Sequence, residues 1–369
     1  MQMEVRAIES PEAAELFITA SPQGNLQPMQ GAEAIFSAIK EVLKESDARI
    51  LQERVFATQG AMDVVAPARG EAYGDLDDGV PPAWLTHPIG VSGQFAGVQV
   101  HAVRSKQRLQ TLRAEGTACG RLLPNSHGFV ALTGLSGRTG TAPEQAHAML
   151  RMAELALRQA KGDMFCVART WMWLEDILSW YGDFNHVRTE FYKEHRLVTG
   201  DPEKDRLPAS TGIGVKPAYG PKCAMDLVAV TGPRRSLQYL LAGGDQRSAF
   251  RYGSAFSRAS QVSSPGGKTV YVSGTAAIDA KGKTQHVGNI PAQIQATIHH
   301  VRAVLKDMNC TDQDVVQSII YSKTPQVEEA FCRLWGDLPW PKLLLIADVC
   351  RENLLFEIEA TACPGARKL

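Results

Sequence analysis

The 369 residues carry 39 Lys plus Arg against 39 Asp plus Glu, so the sequence offers no net field to recruit nucleic acid or an anionic membrane. Apolar residues make up 44% and charged residues 21%, the balance of a soluble globular protein, and no run approaches the roughly 18 apolar residues that span a bilayer. The length exceeds one ordinary core and implies two or three domains, and seven cysteines without paired or zinc-ligand spacing fit reduced thiols in the cytoplasm. The N-terminus lacks a basic-then-apolar leader pattern, and no glycine-rich nucleotide loop occurs.

Taken in order, the chain reads as one pattern written three times. In residues 1–110 a strand at 15–20 ends in small residues, and a helix at 30–43 places Ile35, Ile39 and Val42 on one face. A strand at 50–56 follows. Residues 70–79, rich in Gly and Asp, read as loop. A Pro-marked strand at 82–87 and an alternating strand at 95–102 close the unit. A linker is expected at 103–113.

Residues 111–236 repeat the order: strand 129–134, helix 145–157, strand 165–171, a second helix 181–192, a Pro-marked strand 208–214 and an alternating strand 223–229. A second linker is expected at 232–237. Residues 237–369 open with an aperiodic stretch, 243–260. Strand 269–274, helix 293–305, strand 315–321, helix 326–334, Pro-marked strand 341–347 and alternating strand 354–360 follow. Helix 293–305 carries Ile294, Ile298, Val301 and Leu305 as its apolar stripe. The expected fold class is α+β, three tandem units each with a mixed sheet covered by helices.

Chemistry concentrates in residues 348–359, a polar turn feeding a strand. Glu357 and Glu359 share one face of it, and Phe356 and Ile358 the other. Two carboxylates on one face are ordinary surface charges if that face meets solvent. If it is buried, they need partners or a function. Aligning the alternating strands puts Gln99, Asp226 and Glu357 in equivalent places. A carboxylic acid among Leu355, Phe356 and Ile358 has its pKa raised by burial and can deliver a proton to carbon at neutral pH. Arg169 lies in an apolar strand, so it is either a carboxylate clamp or one half of a buried ion pair with Glu357 or Asp226. Arg258 and Tyr252 either bind a carboxylate and a hydroxyl or are a surface salt bridge and a core aromatic. Thr211 and Gly212 mark either close ligand approach or a bend. Cys350 is either a small core residue or a border of the site. Trp171, Trp173, Trp180 and Tyr181 read as core or interface, His299 and His300 as surface, and Glu359 as supportive or exposed.

The order strand, helix, strand, helix, strand, strand resembles the reactive-intermediate deaminase (YjgF-like, Rid) fold, through residues 272–274, Gly288, Gln293 and 357–360. That family forms homotrimers with sites between subunits. Three units in one chain imply an intramolecular pseudo-trimer that acts as a monomer. The deaminases carry a carboxylate-binding arginine on the Pro-marked strand, where this chain has Lys342, a point charge without the bidentate fork.

Residues 165–362 are also similar to the chorismatase family, which is built on this fold and cleaves chorismate to pyruvate and a cyclic acid. The matching stretches are residues 168–171, 208–214, Tyr252-Gly253, 256–259, Gly288 with Gln293, and 348–359. The resemblance implies Glu357 as the catalytic acid. The position of Cys350 is cysteine in hydroxybenzoate-forming members and alanine in dihydrodiol-forming ones, and Ala259 is more typical of the latter. The family's Pro-Arg after Tyr-Gly is missing after Tyr252-Gly253. The expected activity is cleavage of chorismate or a related enolpyruvyl acid by Glu357 and Cys350, with Arg258, Tyr252, Arg169, Thr211, Gly212 and Ala259 binding a small anionic substrate and no metal or organic cofactor. Imine or enamine deamination, or ligand binding without chemistry, are the alternatives.

Overall fold

The computed structural model describes residues 1–369 except Asn25, Pro202, Glu203, residues 233–235 and Asp245. Three mixed sheets are built to one plan. The first contains β1 (Gln2–Glu9), β2 (Ala13–Ser21), β3 (Arg49–Ala57), β4 (Ala83–Thr86) and β5 (Phe95–Ser105). The second contains β6 (Gln110–Ala114), β7 (Thr117–Leu123), β8 (Phe129–Leu135), β9 (Val167–Leu174), β10 (Ala209–Ile213) and β12 (Cys223–Val230). The short β11 (Lys216–Pro217) leaves the second unit and pairs with β4. The third contains β13 (Leu237–Leu240), β14 (Ala259–Ser264), β15 (Gly267–Ala276), β16 (Val315–Ser322), β17 (Lys342–Ile346) and β18 (Phe356–Ala362), and β19 (Arg367–Lys368) returns to pair with β1.

The strand orders β4-β3-β5-β2-β1, β10-β9-β12-β8-β7 and β17-β16-β18-β15-β14 are one topology repeated. In each, among the described residues, the parallel strand pair is the Pro-marked strand with its predecessor: β4 with β3, β10 with β9, β17 with β16. The proline ring donates no backbone hydrogen bond, so it sits where that edge strand begins.

Helices α1 (Pro28–Glu45), α3 (Ala142–Gln159) and α5 (Ile290–Asp307) each carry proline in the first turn and cover one sheet. Their apolar stripes are buried, among them Ile35, Phe36 and Ile39 on α1 and Ile294, Ile298 and Val301 on α5. Second helices α2 (Gln59–Tyr73), α4 (Ile177–Glu194) and α6 (Pro325–Trp335) pack beside them. Each unit so has a core between sheet and helices. A further core lies where the other faces of the sheets meet, with Phe56, Trp173 and Tyr321 contributed one from each. Among the described residues, no helix is long and apolar enough to cross a membrane.

Polar contacts stitch each sheet to the next. Arg54 Nε donates to Asp226 Oδ2 at 2.7 Å, Arg169 Nη2 to Glu359 Oε2 at 3.0 Å, and Gln99 Nε2 to the Ser318 carbonyl at 2.9 Å. These three contacts lead from first sheet to second, second to third, and third to first.

Several expectations change. Residues 59–73 form α2, whose internal Pro67 and two glycines hide the helical period, while Thr58 caps its start by accepting from the Ala61 N–H. The strand preceding each unit's first strand (β1, β7, β14) lacked a readable pattern. In the expected linker 103–113, β5 runs to Ser105 and β6 begins at Gln110. Of the expected linker 232–237, residues 233–235 lie outside the described residues, as does Asp245 of the aperiodic stretch. His300 is buried and bonds Gln285 Oε1 at 3.1 Å, so only His299 of that pair faces solvent. The alignment of closing strands also shifts. Gln99, Asp226 and Glu359 share one cross-sheet role, while Gly97, Ala224 and Glu357 sit opposite Phe56, Trp173 and Tyr321.

Candidate functional site

Between the second and third units lies a cavity with about 510 Å³ of empty volume. From the second unit it is lined by Tyr181 and Arg188 of α4 and by Ser210 and Gly212 of β10. From the third come Gly274 and Ala276 of β15, Glu357 of β18, Cys350 and Arg351 of the turn before it, and Tyr252, Ser254, Phe256 and Arg258 of the segment before β14.

Glu357 reaches the cavity because β18 is a central strand whose alternate residues face away from α5. Ile358 packs into the helix-covered core, and Glu357 and Glu359 take the other face. Its carboxyl occupies room left by Gly274. A Cβ on that glycine would fall on Glu357 Oε1 and lie 3.0 Å from Thr211 Cγ2. The side chain is 5% exposed and accepts no hydrogen bond from a described residue. Burial is the main cause that raises its pKa from 4.5 to about 8, the Glu359 carboxylate adds to it, and Arg169 and Arg258 oppose it. Glu357 is therefore a largely protonated acid at neutral pH.

Arg258 is 2% exposed, and its Nε and Nη2 donate to the Arg247 carbonyl at 3.2 and 3.1 Å, with Nη2 also donating to the Tyr252 hydroxyl. Arg351 stacks over the Tyr252 ring at 5.5 Å and donates to the Gly282 carbonyl at 2.6 Å. Arg188 is 1% exposed, donates to Asn185 Oδ1 at 2.6 Å, and leaves its Nε without a partner. None of the three guanidinium groups pairs with a carboxylate among the described residues. Three fixed cations around one neutral acid make a receptor for a compact polyanion.

Cys350 is a neutral thiol: burial, with Glu357 nearby, pushes its pKa up to about 12. Tyr181 is pushed up to about 12 by burial, with Cys350 and Glu357 adding to it. Both are proton-bearing groups rather than anions.

Of the residues singled out in the sequence, Glu357, Cys350, Arg258, Tyr252 and Gly212 converge on the cavity. Arg169, Thr211 and Ala259 do not line it. Arg169 is fully buried behind it, paired with Glu359 rather than with Glu357 or Asp226, and donating to Thr211 Oγ1 at 2.5 Å. Glu359 also accepts from Trp171 Nε1 at 2.7 Å, which makes it a supporting group and not an exposed one. Thr211 Oγ1 accepts from the Gly274 N–H at 3.0 Å and so ties β10 to β15 beneath Glu357. Ala259 lies in the helix-covered core of the third unit.

Arg188, Tyr181 and Arg351 were missed as site residues. Arg188 and Tyr181 are seven apart on α4, two turns on one face, a spacing that was legible once α4 was assigned.

The three seams differ in what stands opposite the aromatic of the preceding strand. At the second–third seam it is Glu357, and at the first–second seam Ala224. At the third–first seam it is Gly97, where a Cβ would meet the Ala20 carbonyl and lie 3.0 Å from Leu343 Cδ2. There the chain closes the cleft itself, with Val91 N–H bonded to Glu328 Oε2 at 2.5 Å and Ser92 Oγ to the Leu344 carbonyl at 2.7 Å.

The fold and the C-terminal sequence have counterparts. Residues 249–363 match the family described as Endoribonuclease L-PSP. The whole chain is similar in structure to a chorismatase solved by crystallography, at 20% identity and a TM-score of 0.64, covering 96% of this chain and 100% of that one. The chain therefore has the fold of a chorismatase. A YjgF/YER057c/UK114 family member from Mycobacterium tuberculosis matches 34% of this chain and 98% of its own at 23% identity, with a TM-score of 0.27. No curated protein matches the sequence.

Proposed function

We propose that this protein is a chorismatase-like enzyme that cleaves chorismate or a related enolpyruvyl carboxylic acid to pyruvate and a cyclic acid. The carrying observation is Glu357, a buried carboxyl with a pKa near 8 that shares its cavity with Arg258 and Arg351 of its own unit and with Arg188 from across the seam. The class of reaction follows from that pairing. An enol ether is cleaved by protonating its terminal carbon, and Glu357 holds that proton. The resulting oxocarbenium carbon either takes up water, and the hemiketal then breaks its bond to the ether oxygen to release pyruvate, or takes up the neighbouring ring hydroxyl to form a cyclic ketal. With water the cyclic product is a dihydrodiol acid. With the ring hydroxyl, the ketal breaks its bond to the ether oxygen, which stays on the ring, and the ring C–O bond of the captured oxygen, which leaves as the pyruvate carbonyl; loss of a ring proton then gives a hydroxybenzoate.

Arg188, Arg258 and Arg351 hold the two carboxylates of such a substrate, Tyr252 and Tyr181 position hydroxyls, and Gly212 leaves room for the ring. Cys350 borders the ring. Arg169, Thr211 and Ala259 act from behind, Arg169 by pairing with Glu359 and by opposing the rise in the Glu357 pKa. We take the units as residues 1–110, 111–236 and 237–369, one chain acting as a monomeric pseudo-trimer in the cytoplasm.

Purified protein mixed with chorismate is expected to release pyruvate, read by coupling to lactate dehydrogenase. No pyruvate above background removes chorismate as substrate. The alternative is a deaminase acting on 2-aminoacrylate, with which the match of residues 249–363 is compatible. That reading predicts ammonia release that persists in Cys350→Ala.

A further inference from the structure

The seam between the first and second units holds a cavity of its own, with about 550 Å³ of empty volume. It is the counterpart of the candidate site: β4 stands where β10 stands there, and β8 and β12 stand where β15 and β18 do. Gly134 takes the place of Gly274 at the end of the unit's first strand, and Ala224 the place of Glu357. Its lining is apolar and aromatic, with Pro82, Leu85, Pro221 and Ala224 as walls and Trp84 and Tyr219 forming an edge-to-face pair at 6.5 Å.

Few polar residues line this space: Arg138, Ser136, Trp84 and Tyr219, the last with the Asp63 carboxylate near it. Arg138 is exposed at the mouth and has no hydrogen bond or ion pair with a described residue. The Trp84 indole N–H and the Ser136 hydroxyl likewise have no partner among the described residues. A mostly apolar cleft with a few convergent donors is the usual construction of a small-molecule site. One cation, two donors and an aromatic pair suit a flat ring bearing a single carboxylate. The candidate active site differs in the two features that matter, three arginines instead of one and an acid instead of Ala224.

We propose that the cleft between the first and second units is a second, non-catalytic site that binds a ring-bearing monocarboxylic acid. Which acid it meets in the cell rests on the reading above, because loss of pyruvate from a dicarboxylate leaves a cyclic monocarboxylate, the charge that one arginine matches. The binding itself does not rest on that reading. Occupancy here needs no proton transfer, since Ala224 has none to give.

Benzoate is the probe, and the protein labelled with 15N in its tryptophan indoles is the target. The Trp84 resonance is assigned by its disappearance in Trp84→Phe. Benzoate is expected to shift that resonance in a saturable way. Arg138→Glu, a change at an exposed position, is expected to weaken the titration about tenfold or more, the loss of one charged hydrogen bond. Glu357→Gln is expected to leave it unchanged. A Trp84 resonance that does not move, or that titrates equally well in Arg138→Glu, overturns the proposal. If chorismate proves not to be a substrate while Trp84 still titrates, the second site stands and only the choice of cellular acid is lost.

Discussion

The carboxyl of Glu357 fills the space that a side chain on Gly274 would need, so the two residues on neighbouring strands specify each other. Gly274→Ala is expected to push the carboxyl from its place and to lower turnover by about 100-fold, the effect of misplacing a reacting group by roughly 1 Å. The glycine has no left-handed backbone angle to lose, so circular dichroism is expected to report a folded protein.

Glu357→Gln removes the proton and keeps the shape. Pyruvate release is expected to fall by about 10² to 10⁴, the range for a general acid, while thermal unfolding stays cooperative. The acid works when protonated, so wild-type kcat/KM is expected to fall as pH rises through about 8. Stability follows the same group. Its folded pKa lies above its ordinary 4.5, so its contribution is full below about 4.5 and declines as pH rises to about 8. Glu357→Gln is expected to abolish that decline in a pH series of denaturant melts.

Glu359→Gln tests the pair behind the acid. Glu359 raises the Glu357 pKa and Arg169 lowers it, so removing the Glu359 charge is expected to move the alkaline limb of the rate profile to lower pH. It also strands the Arg169 cation, which is fully buried, and is expected to cost about 3–5 kcal/mol of stability by denaturant titration. An unmoved limb would mean that Glu359 does not govern the acid.

Arg188 is buried without a carboxylate partner among the described residues, a costly arrangement for a cation. Arg188→Met is expected to leave the melting temperature unchanged or higher, because a desolvated cation is removed. It is expected to raise KM for chorismate by about 10- to 100-fold, the worth of a charged hydrogen bond. A lowered melting temperature with unchanged KM assigns Arg188 to structure instead.

Cys350→Ala is expected to leave pyruvate release running and to shift the cyclic product toward the dihydrodiol, as read by chromatography. The thiol is neutral in this setting, so its loss removes a neighbour of the ring and no nucleophile. An unchanged product ratio removes Cys350 from the chemistry.

The repeat was legible in the sequence because it writes itself into short-range pattern, whereas the alternation around Glu357 left open whether its face is buried, and the reading of Glu357 as an acid came from resemblance. Proline before each edge strand, helices with apolar stripes and the alternation around Glu357 are local signals. What stayed hidden is what the pattern does not encode. The α2 helix was masked by Pro67 and its glycines. The partner of Arg169 was misjudged because which of two carboxylates two residues apart on β18 stands against Arg169 is set by the pairing of β18 with β15 and β16 and by the packing of the third sheet on the second, neither of which is local in the sequence. Arg188 and Tyr181 belong to a helix whose covered face is apolar, and their role emerges only when that helix is set beside the next sheet. Ala259 was read through resemblance alone, and its packing in a helix-covered core gave no local sign.

Glycine, alanine and glutamate at the three corresponding places have a cost that falls unevenly. A ring of identical copies must install the same residue at every seam, and two neighbouring carboxylates with a buried cation would then be repeated three times over. Written as one polypeptide, the ring carries that electrostatic burden once. At the Gly97 seam Val91 and Ser92 fill the space instead, and at the Ala224 seam the space stays open without a carboxylate.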